Sequence, residues 1–91
     1  MKNTELIRNF INGETAGKGS NLKIEGNELI NYFTVIAFRN TEKNEIVLNN
    51  ESYSQTTKVH QNKIKREALN LIVFETDTEF SNYVLSLGGD N

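Results

Sequence analysis

Tyr53-Ser54-Gln55-Thr56-Thr57-Lys58-Val59-His60-Gln61-Asn62-Lys63-Ile64-Lys65-Arg66-Glu67-Ala68 holds the chain's one histidine, its densest run of positive charge and its clearest helix start. Ser54 reads as an N-cap whose hydroxyl accepts from the amide of Thr56 or Thr57, and Tyr53 just before it sets the angle at which the chain arrives. At helical periodicity Thr57, His60, Ile64, Ala68 and Leu71 share one face, while Lys58, Asn62, Lys65 and Arg66 fall broadly on the other. The segment therefore predicts an amphipathic helix with a basic outer face. Its place in the chain decides the fold, because β-prone segments precede it and a further strand and helix follow.

Upstream, residues 4–12 predict a short helix, with Thr4 as cap, Glu5 near the positive end of the dipole, and Leu6, Ile7, Phe10 and Ile11 as an apolar stripe ending at Gly13. Residues 13–20, Gly13-Glu14-Thr15-Ala16-Gly17-Lys18-Gly19-Ser20, read as a flexible loop. They do not make a P-loop: Gly19 follows Lys18 where Ser or Thr is required, and the order is helix before and strand after. Leu22-Lys23-Ile24-Glu25 alternates as a strand does, Gly26-Asn27 signals a hairpin, and the return strand from Glu28 is expected to continue through Arg39. Its middle is apolar on both faces, as a central strand should be. Residues 40–44 form a polar turn, and Glu45-Ile46-Val47-Leu48-Asn49 is the third strand.

Downstream, residues 70–75 fit either the tail of the basic helix or a fourth strand, and their β-branched and aromatic content favours the strand. Thr76 and Glu79 are spaced as a capping box. Phe80, Tyr83, Val84 and Leu87 then recur at helical spacing up to Gly88-Gly89, leaving a short tail, 88–91. The expectation is one α+β domain over residues 1–91. It combines an antiparallel meander of three strands, four with 70–75, with an N-terminal helix, the central basic helix and a C-terminal helix covering one face of the sheet. The edges of such a sheet can pair in a dimer.

Composition narrows the function. A net charge of −2 means that any attraction to nucleic acid must be local, and residues 55–66 supply it with Lys58, Lys63, Lys65 and Arg66 and no acid. Without cysteine there is no disulfide framework, zinc knuckle or thiol nucleophile, which suits a reducing cytosol. No apolar run reaches the roughly 18–20 residues of a membrane span, and the first residues lack a secretory h-region. The sequence thus predicts a soluble cytoplasmic protein with no membrane contact.

His60 has no second histidine or cysteine as a metal partner, so no metal or other cofactor is expected, and its place on the apolar face predicts a buried or half-buried ring bonded to backbone. Ser52, Ser54 and Thr56 are the hydroxyls within sequence reach of it, but no nucleophile-elbow signature surrounds them. Glu25, Glu28, Glu42, Glu45 and Glu51 fall at strand ends and turns, where solvation is expected. The chain is accordingly read as a non-enzyme. Asn62 and Gln61 are residue types that read base edges, and Tyr32, Phe33, Phe38 and Tyr53 are candidate stacking aromatics, although the phenylalanines are expected to serve the core.

The run Asn21-Leu22, Gly26, Leu29, Tyr32 and Thr34-Val35-Ile36-Ala37, followed by Tyr53-Ser54-Gln55-Thr56-Thr57-Lys58-Val59-His60-Gln61-Asn62-Lys63-Ile64, resembles a family of small uncharacterised proteins of bacteriophages and mobile elements, mostly from Gram-positive bacteria. Their mark is a strand meander ending in Ile-Ala, then a helix beginning Tyr-Ser-x-Thr-Thr-x-x-His. The resemblance covers roughly residues 20–68. It implies a phage or mobile-element origin, a bacterial host cytosol, and action by binding to nucleic acid or to a host nucleic-acid-handling protein such as a CRISPR nuclease. It brings no catalytic residues.

Three expectations follow. The first is a non-enzymatic binding domain that contacts nucleic acid through helix 55–66, with Lys58, Asn62, Lys65 and Arg66 as contacts. Tyr53, Ser54, Thr56, Thr57, His60 and Ile64 then serve as the structural motif. The alternative is an anti-CRISPR-like inhibitor of a host defence nuclease, whose acids Glu42, Glu45, Glu51, Glu75, Asp77 and Glu79 occlude a basic channel. The third is an enzyme acting through His60.

Overall fold

A computed structural model describes residues 1–88. Of the 88–91 tail, residues 89–91 lie outside the described residues. The elements run α1 (Asn3–Ile11), β1 (Ala16–Lys18), β2 (Leu22–Glu25), β3 (Glu28–Asn31), β4 (Thr34–Asn40), β5 (Glu45–Asn49), α2 (Gln55–Glu67), β6 (Leu71–Phe74) and α3 (Asp77–Ser86). The α+β class is as expected. The sheet is larger than a three-stranded meander, with six strands in the sequential order β1-β2-β3-β4-β5-β6.

The first addition is β1, which lies inside the segment read as a flexible loop and pairs antiparallel with β2 from Ala16↔Glu25 to Lys18↔Lys23. A Cβ added to Gly17 would stand 2.7 Å from the Leu6 Cδ1 of α1. Glycine here permits a close approach of strand to helix rather than flexibility.

The second is a break in the long return strand. Asn31 pairs with Thr34 across a turn at Tyr32-Phe33, with Tyr32 in the left-handed region at φ 57°. No Asn-Gly or Asp-Gly pair announces this turn. Within the β3–β4 ladder Leu29 faces Ala37 and Ile30 faces Val35, so Ile36 is a bulged extra residue. The bulge places both Ile36 and Ala37 in the core, which explains the run that reads as apolar on two faces.

Within residues 70–75 the strand reading holds for Leu71–Phe74, and β6 runs parallel to β5 from Ile46↔Leu71 to Asn49↔Phe74. Parallel neighbours need a crossover of about a dozen residues or more, and α2 provides it. The sheet is therefore mixed, and Leu71 belongs to β6 rather than to the apolar face of α2.

The helices cover both faces rather than one. Leu6, Ile7 and Phe10 of α1 and Ile64 of α2 pack with Leu22, Ile24, Leu29, Ile46 and Leu48 on the first face. On the second face α3 sits over β5 and β6: the Phe74 and Tyr83 ring centroids are 5.1 Å apart, and Tyr83 Oη donates to Glu45 Oε2 at 2.8 Å. Glu45, expected in solvent, is buried, and the bond it accepts from Tyr83 raises that phenol's pKa.

Helix ends follow their sequence signals with two adjustments. The N-cap of α1 is Lys2, not Thr4, and makes no side-chain cap bond. For α3, Thr76 Oγ1 accepts from the Glu79 amide at 3.2 Å as a capping box requires, while Glu79 Oε1 returns to the Thr76 hydroxyl rather than to its amide.

Candidate functional site

The first turn of α2 is built by hydroxyls. Ser54 Oγ accepts from the Thr57 amide at 3.2 Å, selecting Thr57 over Thr56 as its partner. Thr57 Oγ1 donates to Asn31 Oδ1 at 2.6 Å, so its one proton is spent and Ser54 is the donor in their 3.0 Å hydroxyl contact. Thr56 is exposed and stands apart from this chain of bonds. Tyr53 links two helix starts, its Oη accepting from Asn49 Nδ2 at 3.1 Å and donating to Asp77 Oδ1 at 3.3 Å. Burial foremost, with Asp77 and Glu51 nearby, raises its pKa.

His60 is 5% exposed, and its Nε2 lies 3.1 Å from Asn21 Oδ1, which also accepts from Asn3 Nδ2 at 3.0 Å. The histidine is thus buried as expected, but it bonds a side chain rather than backbone. Burial lowers its pKa, which favours the neutral ring with the proton on Nε2. Ser54 is committed to Thr57, and neither Ser52 nor Thr56 bonds the ring. Among the described residues no group of three or more His, Cys, Asp or Glu is placed to hold a metal ion.

The outward side of α2 carries Lys58, Lys65 and Arg66 in solvent, with Asn62 half-buried between them. Helical rise puts Lys58 and Arg66 roughly 12 Å apart along the axis. Among the described residues none of these three cations enters an ion pair or a side-chain hydrogen bond, whereas Lys63 pairs with Glu67 at 2.9 Å and Arg8 meets the same carboxylate at 3.4 Å. Those bonds, Lys63 first, lower the Glu67 pKa. Lys65 and Arg66 also sit in the last turn, where cations complement the negative end of the helix dipole.

Gln61 is not available to read a base. It is buried, and its Nε2 donates to the carbonyls of Asn49 and Glu51, each at 2.9 Å. Among the aromatics Phe33 departs from expectation, being fully exposed at the β3–β4 turn. Phe38 is half-buried, Phe10 and Phe80 are buried, and Tyr32 and Tyr53 are exposed.

Sequence reasoning treats the asparagines as turn residues and misses their use as brackets. Asn49 is completely buried, and its Nδ2 shares two protons among Val35 O, Tyr53 Oη and Asp77 Oδ1. Asn31 joins the Asn21 carbonyl to the Thr57 hydroxyl. Arg39 is a second omission: it lies over the Phe10 ring at 4.8 Å and donates to the carbonyls of Phe10, Glu14 and Gly26. Spacing carries no signal for either, since both depend on which carbonyls the fold brings within reach.

No family model, no curated protein and no solved structure matches the chain. Among the described residues no helix is long and apolar enough to cross a membrane.

Proposed function

We propose that this protein is a non-enzymatic binding domain of the phage or mobile-element kind, whose central helix contacts nucleic-acid phosphates through Lys58, Lys65 and Arg66, with Asn62 between them. The observation that supports this most is the division among the cations. Lys63 and Arg8 share Glu67, and Lys23 is 3.0 Å from Glu25, whereas the three outward cations of α2 face solvent with no acid bound to them among the described residues. Unpaired cations along one helical stripe suit a repeating anion, because each neutralised phosphate releases condensed counterions. The acidic surface elsewhere limits attachment in other orientations.

Fluorescence anisotropy with labelled duplex DNA, single-stranded DNA and RNA at low salt tests the reading. The K58A/K65A/R66A protein is expected to bind at least about tenfold more weakly. Lys63→Ala, which removes a cation already paired, is expected to bind nearly as well as the parent. Equal affinity in the triple variant contradicts the proposal.

A second reading, occlusion of a basic channel on a host defence nuclease, has its own support. Glu51 and Asp77 meet at the start of α3, where Glu51 Oε1 accepts from the Asp77 amide at 2.9 Å, Glu79 lies in the same first turn, and Glu75 directly precedes Thr76. This gives the molecule one acidic end. That reading predicts a stable complex with the nuclease and no binding of free nucleic acid.

A further inference from the structure

Beside the acidic end lies a groove of about 510 Å³ lined by Phe33, Val35, Phe80, Tyr53, Glu51 and Asp77, with smaller polar residues between. Its volume falls in the range of ligand sites, and four other concavities hold about 210 to 290 Å³. Phe80 is buried and Tyr53 is partly exposed, but Phe33 is 101% exposed and is held out by a turn whose first residue, Tyr32, has φ 57°. A bulky residue in that conformation costs about 1–3 kcal/mol, and such strain concentrates at binding sites.

Charge identifies what this groove suits. Two carboxylates line it and no lysine or arginine does. Asp77 Oδ1 is fixed by Asn49 and Tyr53, and Glu51 Oε1 by the Asp77 amide, so one oxygen of each is committed. Asp77 Oδ2 and Glu51 Oε2 carry no hydrogen bond among the described residues, so the pair is held in place with acceptor capacity left over. A phosphate would be repelled here, which argues against Phe33 and Tyr53 as a nucleic-acid stacking platform. A cation beside aromatic faces and fixed carboxylates is favoured twice, by the ring quadrupole and by charge-assisted hydrogen bonds. The guanidinium fits best, since it is planar, stacks on rings and forks onto a carboxylate.

We infer that the groove floored by Phe80 and flanked by Phe33 and Tyr53 is a docking site for an arginine-bearing segment of a partner protein, with the guanidinium against the exposed Phe33 and Tyr53 side chains and paired with Asp77 and Glu51. The site stands independently of the phosphate contacts assigned to α2. It names a recognition chemistry for the protein-directed reading without requiring that the target be a nuclease.

The test is an NMR titration of the full chain with the peptide acetyl-Gly-Arg-Gly-amide, beside the same peptide carrying citrulline, which keeps the shape and loses the charge. Amide shifts are expected at Phe33, Val35, Glu51 to Tyr53 and Asp77 to Ser81 with the arginine peptide, and none there with citrulline at equal concentration. Phe33→Ser, at a site with no packing to lose, and Asp77→Asn, which keeps an acceptor for Asn49 and Tyr53, should each weaken binding about fivefold or more. The K58A/K65A/R66A protein should bind the peptide as the parent does, which separates failure here from failure of the nucleic-acid reading. Equal binding of the two peptides, shifts on α2 instead, no shifts up to millimolar peptide, or an oligonucleotide moving the groove resonances would each overturn the assignment.

Discussion

His60 and Arg39 show what single polar side chains do in this core. Because burial depresses the folded-state pKa of His60, the unfolded chain binds its proton at a higher pH than the folded chain. The stabilisation is fully present above the ordinary histidine value of about 6.5 and is lost as pH falls below it toward the folded value. Urea unfolding from pH 7.5 to 5.5 is therefore expected to show declining stability in the parent and a shallower decline in His60→Gln, which retains an N–H donor for Asn21. Parallel pH profiles would count against a neutral buried ring. Arg39 answers a different need, since its guanidinium donates to three carbonyls at the end of α1 and in the adjoining loops. Arg39→Met leaves them without that donor and should cost about 3 kcal/mol, read as a drop in the thermal midpoint. Neither role is legible in sequence. The buried helix face predicts that His60 is inside but not that Asn21 is its partner, and Arg39 reads only as the end of a strand.

Among the elements, the turn between β3 and β4 and the start of α2 invite opposite expectations. Tyr32 adopts positive φ without being glycine or asparagine, so Tyr32→Gly is expected to stabilise the hairpin by about 1 kcal/mol, raising the midpoint by a few degrees. An unchanged or lower midpoint would mean that contacts of the tyrosine ring outweigh the strain. Ser54→Ala removes a cap and the donor to Thr57, and should cost about 1–2 kcal/mol in chemical denaturation.

The elements also differ in how plainly the sequence announces them. The Gly26-Asn27 hairpin, the Ser54 cap and the forward half of the Thr76–Glu79 box carry their signals locally, and these form. The turn at Tyr32-Phe33 hides in residues of high β propensity. It is held by the Tyr32 amide bonding Asn21 O and by Asn31 reaching Asn21 O and Thr57, contacts that exist only once the chain has folded. Strand β1 hides for the converse reason. Its glycines suggest flexibility, but Gly17 is needed where the strand backbone crosses Leu6.

At the scale of the whole molecule, charge is separated. The outer face of α2 carries three cations with no ion pair among the described residues, and the start of α3 carries fixed carboxylates beside exposed aromatics. Helical periodicity made the basic stripe legible from sequence, whereas Gln61 and Lys63 dropped out because a neighbouring loop and Glu67 claim them. The acidic groove was not legible, because it assembles residues from β4, the turn before it, the lead-in to α2, and α3. The central claim is that Lys58, Lys65 and Arg66 neutralise phosphates. The most direct measurement is the dependence of the binding constant on salt for the parent and the K58A/K65A/R66A protein on one duplex. For B-DNA each phosphate contact contributes a slope of roughly −0.9 in log K against log salt, so the triple variant is predicted to be shallower by about 2 to 3. Two parallel lines, with the variant keeping the parent's slope, would contradict the account.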